Sequence, residues 1–292
     1  MTGRVSDLTL SQSAIQSLQS NLSLIADLQN QASSGKKLTK PSDSPVDMGE
    51  SLQLRGSLNR NTQLSTNISD AEGWLGTAGA TLGSVVTQLQ QVKGLVLQAA
   101  NAATDQNGRD AIANQLDQIR QSLLNVANTQ YGNRPLFGGT VAGAVAYDAS
   151  GNYVGTSAPV ERTVAPGVQV QVNVDGDAVF GPAGNNLFGT LSQISDAIRG
   201  NTSLTALSAQ LDSQTQTVQT QQALTGATYA RIETIKSQNA TNASTMTQNL
   251  SNVEDADMAQ VLMNLQAQET TYQAALAAAA KAIQPSLAAF LQ

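Results

Sequence analysis

Residues 64–99, LSTNISDAEGWLGTAGATLGSVVTQLQQVKGLVLQA, decide the fold. Read in alternating steps of four and three, positions 64, 68, 71, 75, 78, 82, 85, 89, 92, 96 and 99 are Leu, Ile, Ala, Leu, Ala, Leu, Val, Leu, Val, Val and Ala. Every one is apolar in a chain that is 40% hydrophobic. That spacing turns one narrow stripe of a long helix toward a partner helix. Gly73, Gly76, Gly79 and Gly83 run beside the stripe. Each glycine weakens a helix by about 1 kcal/mol against alanine, so the expected reason for four of them is close approach of another backbone. Trp74, the single tryptophan, is expected in the core.

Upstream of this helix, Lys40-Pro41-Ser42-Asp43-Ser44-Pro45 breaks one helix and starts the next. Ser44 can cap, Pro45 suits the first helical position, and Asp47 stands where a capping-box acid belongs. Before the break, a helix from about Val5 to Ser33 carries Leu8, Ile15, Leu18, Leu22 and Ile25 on one stripe, interrupted by Ser11. Downstream, Asp105-Gln106-Asn107-Gly108 turns the chain into a helix with Ile112, Leu116, Ile119, Leu123 and Val126 on its seam.

Between Phe137 and Phe188 the period changes. Val168 to Val174 alternates apolar and polar residues, as a half-buried strand does. Asp148 to Asn152 and Asp175-Gly176-Asp177 read as turns. This segment is expected to form a small sheet or partial barrel. Helices return over about Leu187 to Arg199 and from Leu204 to about Gln248. A last helix is expected to start at a Ser251–Glu254 capping box, with Asp255 and Asp257 favouring its positive end. Its stripe is Met258, Leu262, Leu265, Tyr272, Leu276, Ala279 and Ile283, broken by Glu269.

The fold class is therefore mainly α: a long antiparallel helical bundle or coiled coil formed by the N- and C-terminal regions, with a small β-domain inserted in the middle. The expected domains are 1–40 with 250–292 as terminal coiled-coil helices, 41–137 with 187–249 as the long bundle, and 138–186 as the β-rich outer part. The terminal seams supply partners to each other or to neighbouring copies. They are expected to fray in an isolated chain.

Composition narrows the chemistry. Histidine and cysteine are both absent, which excludes histidine acid–base catalysis, histidine triads, thiol nucleophiles and thiolate metal sites. The net charge of −6 disfavours general nucleic-acid binding. The one basic cluster, Lys36, Lys37 and Lys40, reads as a solvated loop. No apolar run approaches the about 20 residues that span a bilayer. The first thirty residues lack the basic segment and apolar block of a signal peptide, so export is expected by another route. Helix capping accounts for Glu254, Asp255 and Asp257 without a metal. No catalytic, cofactor-binding or metal site is expected, and the chain reads as not an enzyme.

Specific motifs carry a resemblance. Residues 33–45, SSGKKLTKPSDSP, and 67–75, NISDAEGWL, resemble the N-terminal region of the flagellin superfamily, most closely its branch that joins hook to filament. Residues 128–140, NTQYGNRPLFGGT, are similar to that family's passage from helix into β-domain. Residues 253–259, VEDADMA, then 272–276, YQAAL, and Gln284-Pro-Ser-Leu287 through Phe290-Leu291 resemble its C-terminal pattern. The resemblance implies a structural subunit of the bacterial flagellum, extracellular, exported through the type III apparatus without signal cleavage and assembled as a ring. Implied partners are further copies of the chain, a neighbouring hook-associated protein, flagellin, and an export chaperone at the C-terminal region. Neither nucleic acid nor membrane is implied. The candidate assembly contacts are Ile15, Leu18, Leu22 and Ile25 on the first helix and Leu265 and Tyr272 on the last. The resemblance adds Leu276, Ile283, Leu287, Phe290 and Leu291. Flagellin itself, or a secreted coiled-coil adhesin or effector, stays open as the alternative.

Overall fold

A computed structural model describes the backbone of residues 2–101, 105–141, 143 and 145–288, and the side chains of 12–101, 105–141, 143 and 145–280. The chain is mainly helical and divides into two compact units, Met1–Asn59 with Ala243–Gln292, and Arg60–Asn242. The helices are α1 (Thr2–Ser34), α2 (Pro45–Ala99), α3 (Gln106–Ala127), α4 (Gly176–Phe180), α5 (Leu187–Arg199), α6 (Thr205–Glu254) and α7 (Met258–Ala288). The strands are β1 (Gln130–Tyr131), β2 (Arg134–Pro135), β3 (Glu161–Ala165) and β4 (Val168–Gln171).

Local chemistry sets the helix limits. α1 stops at Gly35, whose φ of 70° suits a glycine just past a helix end. Asp43 then gathers the break: its carboxylate accepts from the Thr39 and Lys40 amides at 2.9 and 2.8 Å. Those backbone bonds hold the Asp43 carboxyl below its ordinary value. α2 restarts as its sequence predicts, with the Ser44 hydroxyl accepting from the Asp47 amide at 3.4 Å and Pro45 first. Asp105 caps α3 by accepting from the Gly108 amide at 2.8 Å.

In the 60–242 unit the deciding stripe is buried from Ile68 to Val96, while Leu64 and Ala99 at its ends are half-buried. α3 adds Ile112, Leu116 and Leu123, and α6 adds Leu211, Val218 and Ile232. Three ties show α6 running antiparallel to α2. Lys93 pairs with Asp212 at 2.7 Å and Glu72 with Lys236 at 2.8 Å. Asn61 and Asn239 each donate a side-chain amide to the other's carbonyl, at 3.2 and 3.3 Å. α5 lies against α3, with the Arg199 guanidinium on Asp117 at 2.5 Å and the Arg120 guanidinium on the Phe188 carbonyl at 3.0 Å.

Three expectations are corrected or sharpened. The glycines of α2 admit side chains and not a second backbone: a Cβ at Gly73 would strike the Tyr131 hydroxyl, and one at Gly83 would lie 3.3 Å from Gln222 Nε2. Gly79 faces open space. Of the small sheet or partial barrel expected over 137–188, the described residues form the small sheet, β3 paired antiparallel with β4; β1–β2 is a separate pair just before that segment. β4 is shorter than its alternation because Asn173 takes over the pairing, accepting from the Val160 amide at 2.7 Å and donating to the Ala158 carbonyl at 3.2 Å. The third concerns Asp175-Gly-Asp, which is no free turn: Asp175 caps the short α4.

A ring cluster of Phe137, Tyr147, Phe180 and Phe188, with centroids 5.1–5.4 Å apart, fills the insertion. Burial pushes the Tyr147 hydroxyl well above its usual pKa. The insertion is rooted on α2. Tyr131 sits over Gly73 with its ring 5.4 Å from buried Trp74. Arg162 pairs with Asp70 at 2.6 Å, and Asn67 donates to the Thr163 carbonyl at 2.9 Å. The Asp148 turn closes on itself, its carboxylate accepting from the Ser150 and Asn152 amides at 2.9 and 2.8 Å.

Candidate assembly interface

The other unit contains the two terminal helices. α1 packs on α7, and Gln268 Nε2 donates to Asn21 Oδ1 at 3.0 Å within the seam. Lys36 bridges Asp255 in antiparallel fashion where the pair begins. The helices therefore run in opposite directions, as short helix–helix closure at one end requires.

The stripe turned inward is displaced from the expected one. On α1 it comprises Ala14, Leu18, Asn21, Ile25 and Leu28; on α7 it comprises Val261, Leu265, Gln268, Tyr272, Ala275 and Ala279. Ile25 and Val261 are its most buried members. Of the candidate contacts, Leu18, Ile25, Leu265 and Tyr272 fall on this face. Ile15, Leu22 and Leu276 do not, and remain 50%, 48% and 45% exposed. Leu24, Leu262 and Met263 are exposed beside them. Ile283, Leu287, Phe290 and Leu291 lie outside the described side chains, as does Leu8. Each helix thus carries a second apolar stripe that α1 and α7 do not cover for one another.

At the closed end a carboxylate holds the pair together. Glu254, the last residue of α6, is 4% exposed. Its Oε1 accepts from Arg55 Nε at 2.6 Å and from the Ser51 hydroxyl. Its Oε2 accepts from Arg55 Nη2 and Lys36 Nζ, both at 2.6 Å. The main chain closes too: the Lys37 amide donates to the Glu254 carbonyl at 2.7 Å, and the Ala256 amide to the Gly35 carbonyl at 2.9 Å. A planar guanidinium meeting a carboxylate with two parallel bonds is the strong form of this contact. Donation from Arg55 outweighs burial and holds the Glu254 carboxyl far below the usual carboxylate range; Lys36 and Ser51 add to it.

Two readings of this region change. Glu254 is not part of a capping box, because α6 continues through it and α7 begins only at Met258. The cap is Asp257, which accepts from the Ala259 and Gln260 amides at 3.0 and 3.2 Å. The basic cluster is no idle solvated loop either: Lys36 reaches Glu254, Lys37 donates to the Asn252 carbonyl at 2.8 Å, and Lys40 pairs with Asp27 at 3.1 Å.

Among the described residues no group of three or more acidic side chains is placed to hold a metal. No described helix is long and apolar enough to cross a membrane. An open groove of about 580 Å³ in the other unit is lined by Gln88, Gln91, Gly94, Leu95, Gln115, Gln118, Ile119 and Ser122, with no ionisable group.

Comparison with known proteins adds four findings. Residues 5–142 match the family described as the bacterial flagellin N-terminal helical region. The flagellar hook-associated protein 3 of Escherichia coli strain K12 is 27% identical over 198 residues, 66% of this chain and 59% of that protein. Its namesake in Salmonella typhimurium is 28% identical over 161 residues, 54% of this chain and 51% of that protein. The chain thus spans between half and three-fifths of these relatives' length. The crystal structure of Bacillus cereus FlgL shares the fold, with a TM-score of 0.61 at 24% identity over 68% of this chain and 99% of that one.

Proposed function

We propose that this chain, whose residues 5–142 match the flagellin N-terminal helical family, is a structural subunit of the bacterial flagellum that joins hook to filament as a ring of identical copies. The observation that carries this is the α1–α7 pair, which partly covers one stripe and leaves a second one, with Ile15, Leu22, Leu262 and Leu276, about half exposed. A chain that acts alone has no use for such a stripe, whereas a subunit completes its core from its neighbours. The absence of histidine and cysteine, and the neutral lining of the groove, fit a structural role without catalysis.

In this reading residues 1–40 and 250–292 form the inner layer, 41–137 and 187–249 the next, and 138–186 faces outward. The contacts are Ile15, Leu18, Leu22, Ile25, Leu265, Tyr272, Leu276, Ile283, Leu287, Phe290 and Leu291. Some of these lie within one subunit and the rest between subunits. A neighbouring hook-associated protein and flagellin take the two faces of the ring, and an export chaperone covers the C-terminal region before secretion. The chain leaves the cell through the type III apparatus without a cleaved signal.

Deleting the chain in its own bacterium tests this. Hooks should remain, filaments should be missing, and flagellin should collect in the medium. Normal filaments in the deletion strain would overturn the reading. Growth of the purified chain into long filaments would replace it with the bulk filament subunit.

A further inference from the structure

The α1–α7 seam is poor in shape information. Ala14, Ala275 and Ala279 are small, Asn21 and Gln268 are polar, and few large side chains alternate across it. Each helix also offers two apolar stripes that share or adjoin positions: 18 and 25 belong to both readings of α1, and 261–262 are neighbours on α7. A seam of this kind tolerates a slide of one heptad, about 10 Å along the axis. It tolerates equally a small rotation that exchanges the covered stripe for the exposed one. Something other than apolar packing must choose.

From the placement of the polar contacts we infer that Glu254, with Lys36, Ser51 and Arg55, is the pin that sets the register of α7 on α1 and so selects which stripe is left for another chain; the Asn21–Gln268 amide pair is a second, weaker peg. Lys36 stands two residues past the end of α1 and Glu254 four residues before the start of α7. A heptad slide would pull Glu254 from its donors at the end of α1, the Lys36 ammonium and the Lys37 amide, since only residues 255–257 separate it from α7 while Ser51 and Arg55 hold it on α2. A buried carboxylate left without those donors is costly, so the wrong register is disfavoured even where its apolar contacts are as good. The amide pair acts the same way, because a slide would leave two amides facing alanine, valine or leucine. Polar groups in a helical seam give up some stability and return a single register. The inference rests on the reading of α1 and α7 as the assembly pair, and it names what determines their geometry.

The full chain has no cysteine, which makes the test direct. Four residues along α1 from Asn21 and three back along α7 from Gln268 place Ile25 opposite Leu265 in the observed register. Ile25→Cys is combined with Leu265→Cys for that register, and with Tyr272→Cys or Met258→Cys for a slide of one heptad either way. Each pair is oxidised in dilute protein, and internal crosslinks are measured after proteolysis. With Glu254 present, the 25–265 product should dominate. In Glu254→Gln, the slipped products should rise by about tenfold or more, as loss of a charge-assisted bond implies. Should that variant unfold, the triple Lys36→Met, Arg55→Met, Glu254→Met replaces the buried carboxylate and its half-exposed cations with apolar bulk and keeps the helices paired. Slipped crosslinks in the triple, at unchanged helicity, support the pin. Only the 25–265 product in both variants overturns it. The crosslinks are read on purified chain, so their outcome does not depend on whether the variant restores motility.

Discussion

The stripe of α2 and the seam of α1 with α7 are written in the same seven-residue spacing, yet they fold to different ends. The α2 stripe runs through Leu82, Val85, Leu89 and Val92 without a polar interruption, and all four are sealed from water. The terminal seam mixes leucine with alanine, asparagine and glutamine, and leaves large residues such as Leu262 and Ile15 about half exposed. Burial gives roughly 25 cal/mol for each Å² of apolar surface, so the first stripe is a completed core and the second a partial one. Spacing alone announces that a helix wants a partner; side-chain size and exposure decide whether the partner is already present.

The largest effect should come from the completed core. Leu89→Ala opens a cavity at a fully buried site and should cost about 3 kcal/mol in chemical denaturation. A loss under about 1 kcal/mol would mean that the stripe is no better packed than the terminal seam.

A smaller effect should come from the clasp. Arg55→Ala strands a buried carboxylate and should cost about 2 kcal/mol, less than outright burial of a bare charge because Lys36 and Ser51 still donate to it. Acid should act on the same group. Glu254 has its carboxyl depressed in the folded chain, so its contribution is whole above about pH 5, where the unfolded carboxyl is ionised, and is lost as the pH falls toward the folded value. Thermal melts from pH 7 down to pH 3 should fall more steeply for the parent chain than for Glu254→Gln. Parallel curves would show that the clasp carries no net stability.

The smallest effect on stability should be Leu22→Ser on the uncovered stripe, within about 0.5 kcal/mol for the isolated chain. Its effect on assembly should be large: the variant should fail to restore motility to a deletion strain. A marked drop in melting temperature would place Leu22 inside the chain's own core and erase the contrast between the two stripes.

The helices were legible because 64–99 and 187–199 carry their periods and stop signals within a few neighbouring residues. The insertion is legible as a change of period, but the Val168–Val174 alternation overstates β4, since the Asn173 side chain ends the pairing and side-chain competition leaves no mark on an alternating string. The terminal seam was half legible. Leu18 and Ile25 fit both candidate stripes, and Asn21 and Gln268 look like outward-facing residues until the pair between them is seen. Ser251, three residues before Glu254, gives the pair the local look of a capping box. The true partners of Glu254 are 199 to 218 residues away, a distance over which no local pattern speaks.

The root of the insertion on α2 divides that segment into parts with different freedom. Tyr131, Arg162 and Thr163 meet the helix and Gly73 makes room for a ring, so changes there disturb two elements at once. The Asp148–Asn152 turn, by contrast, is closed by its own amides, rests on α3 and α5 through the Ser150 and Gly151 carbonyls, which accept from Arg120 and Asn186, and has an exposed tip at Ala149 and Ser150. A peptide spliced between those two residues would begin and end where the chain already turns back on itself. It makes this turn the natural display position on the molecule.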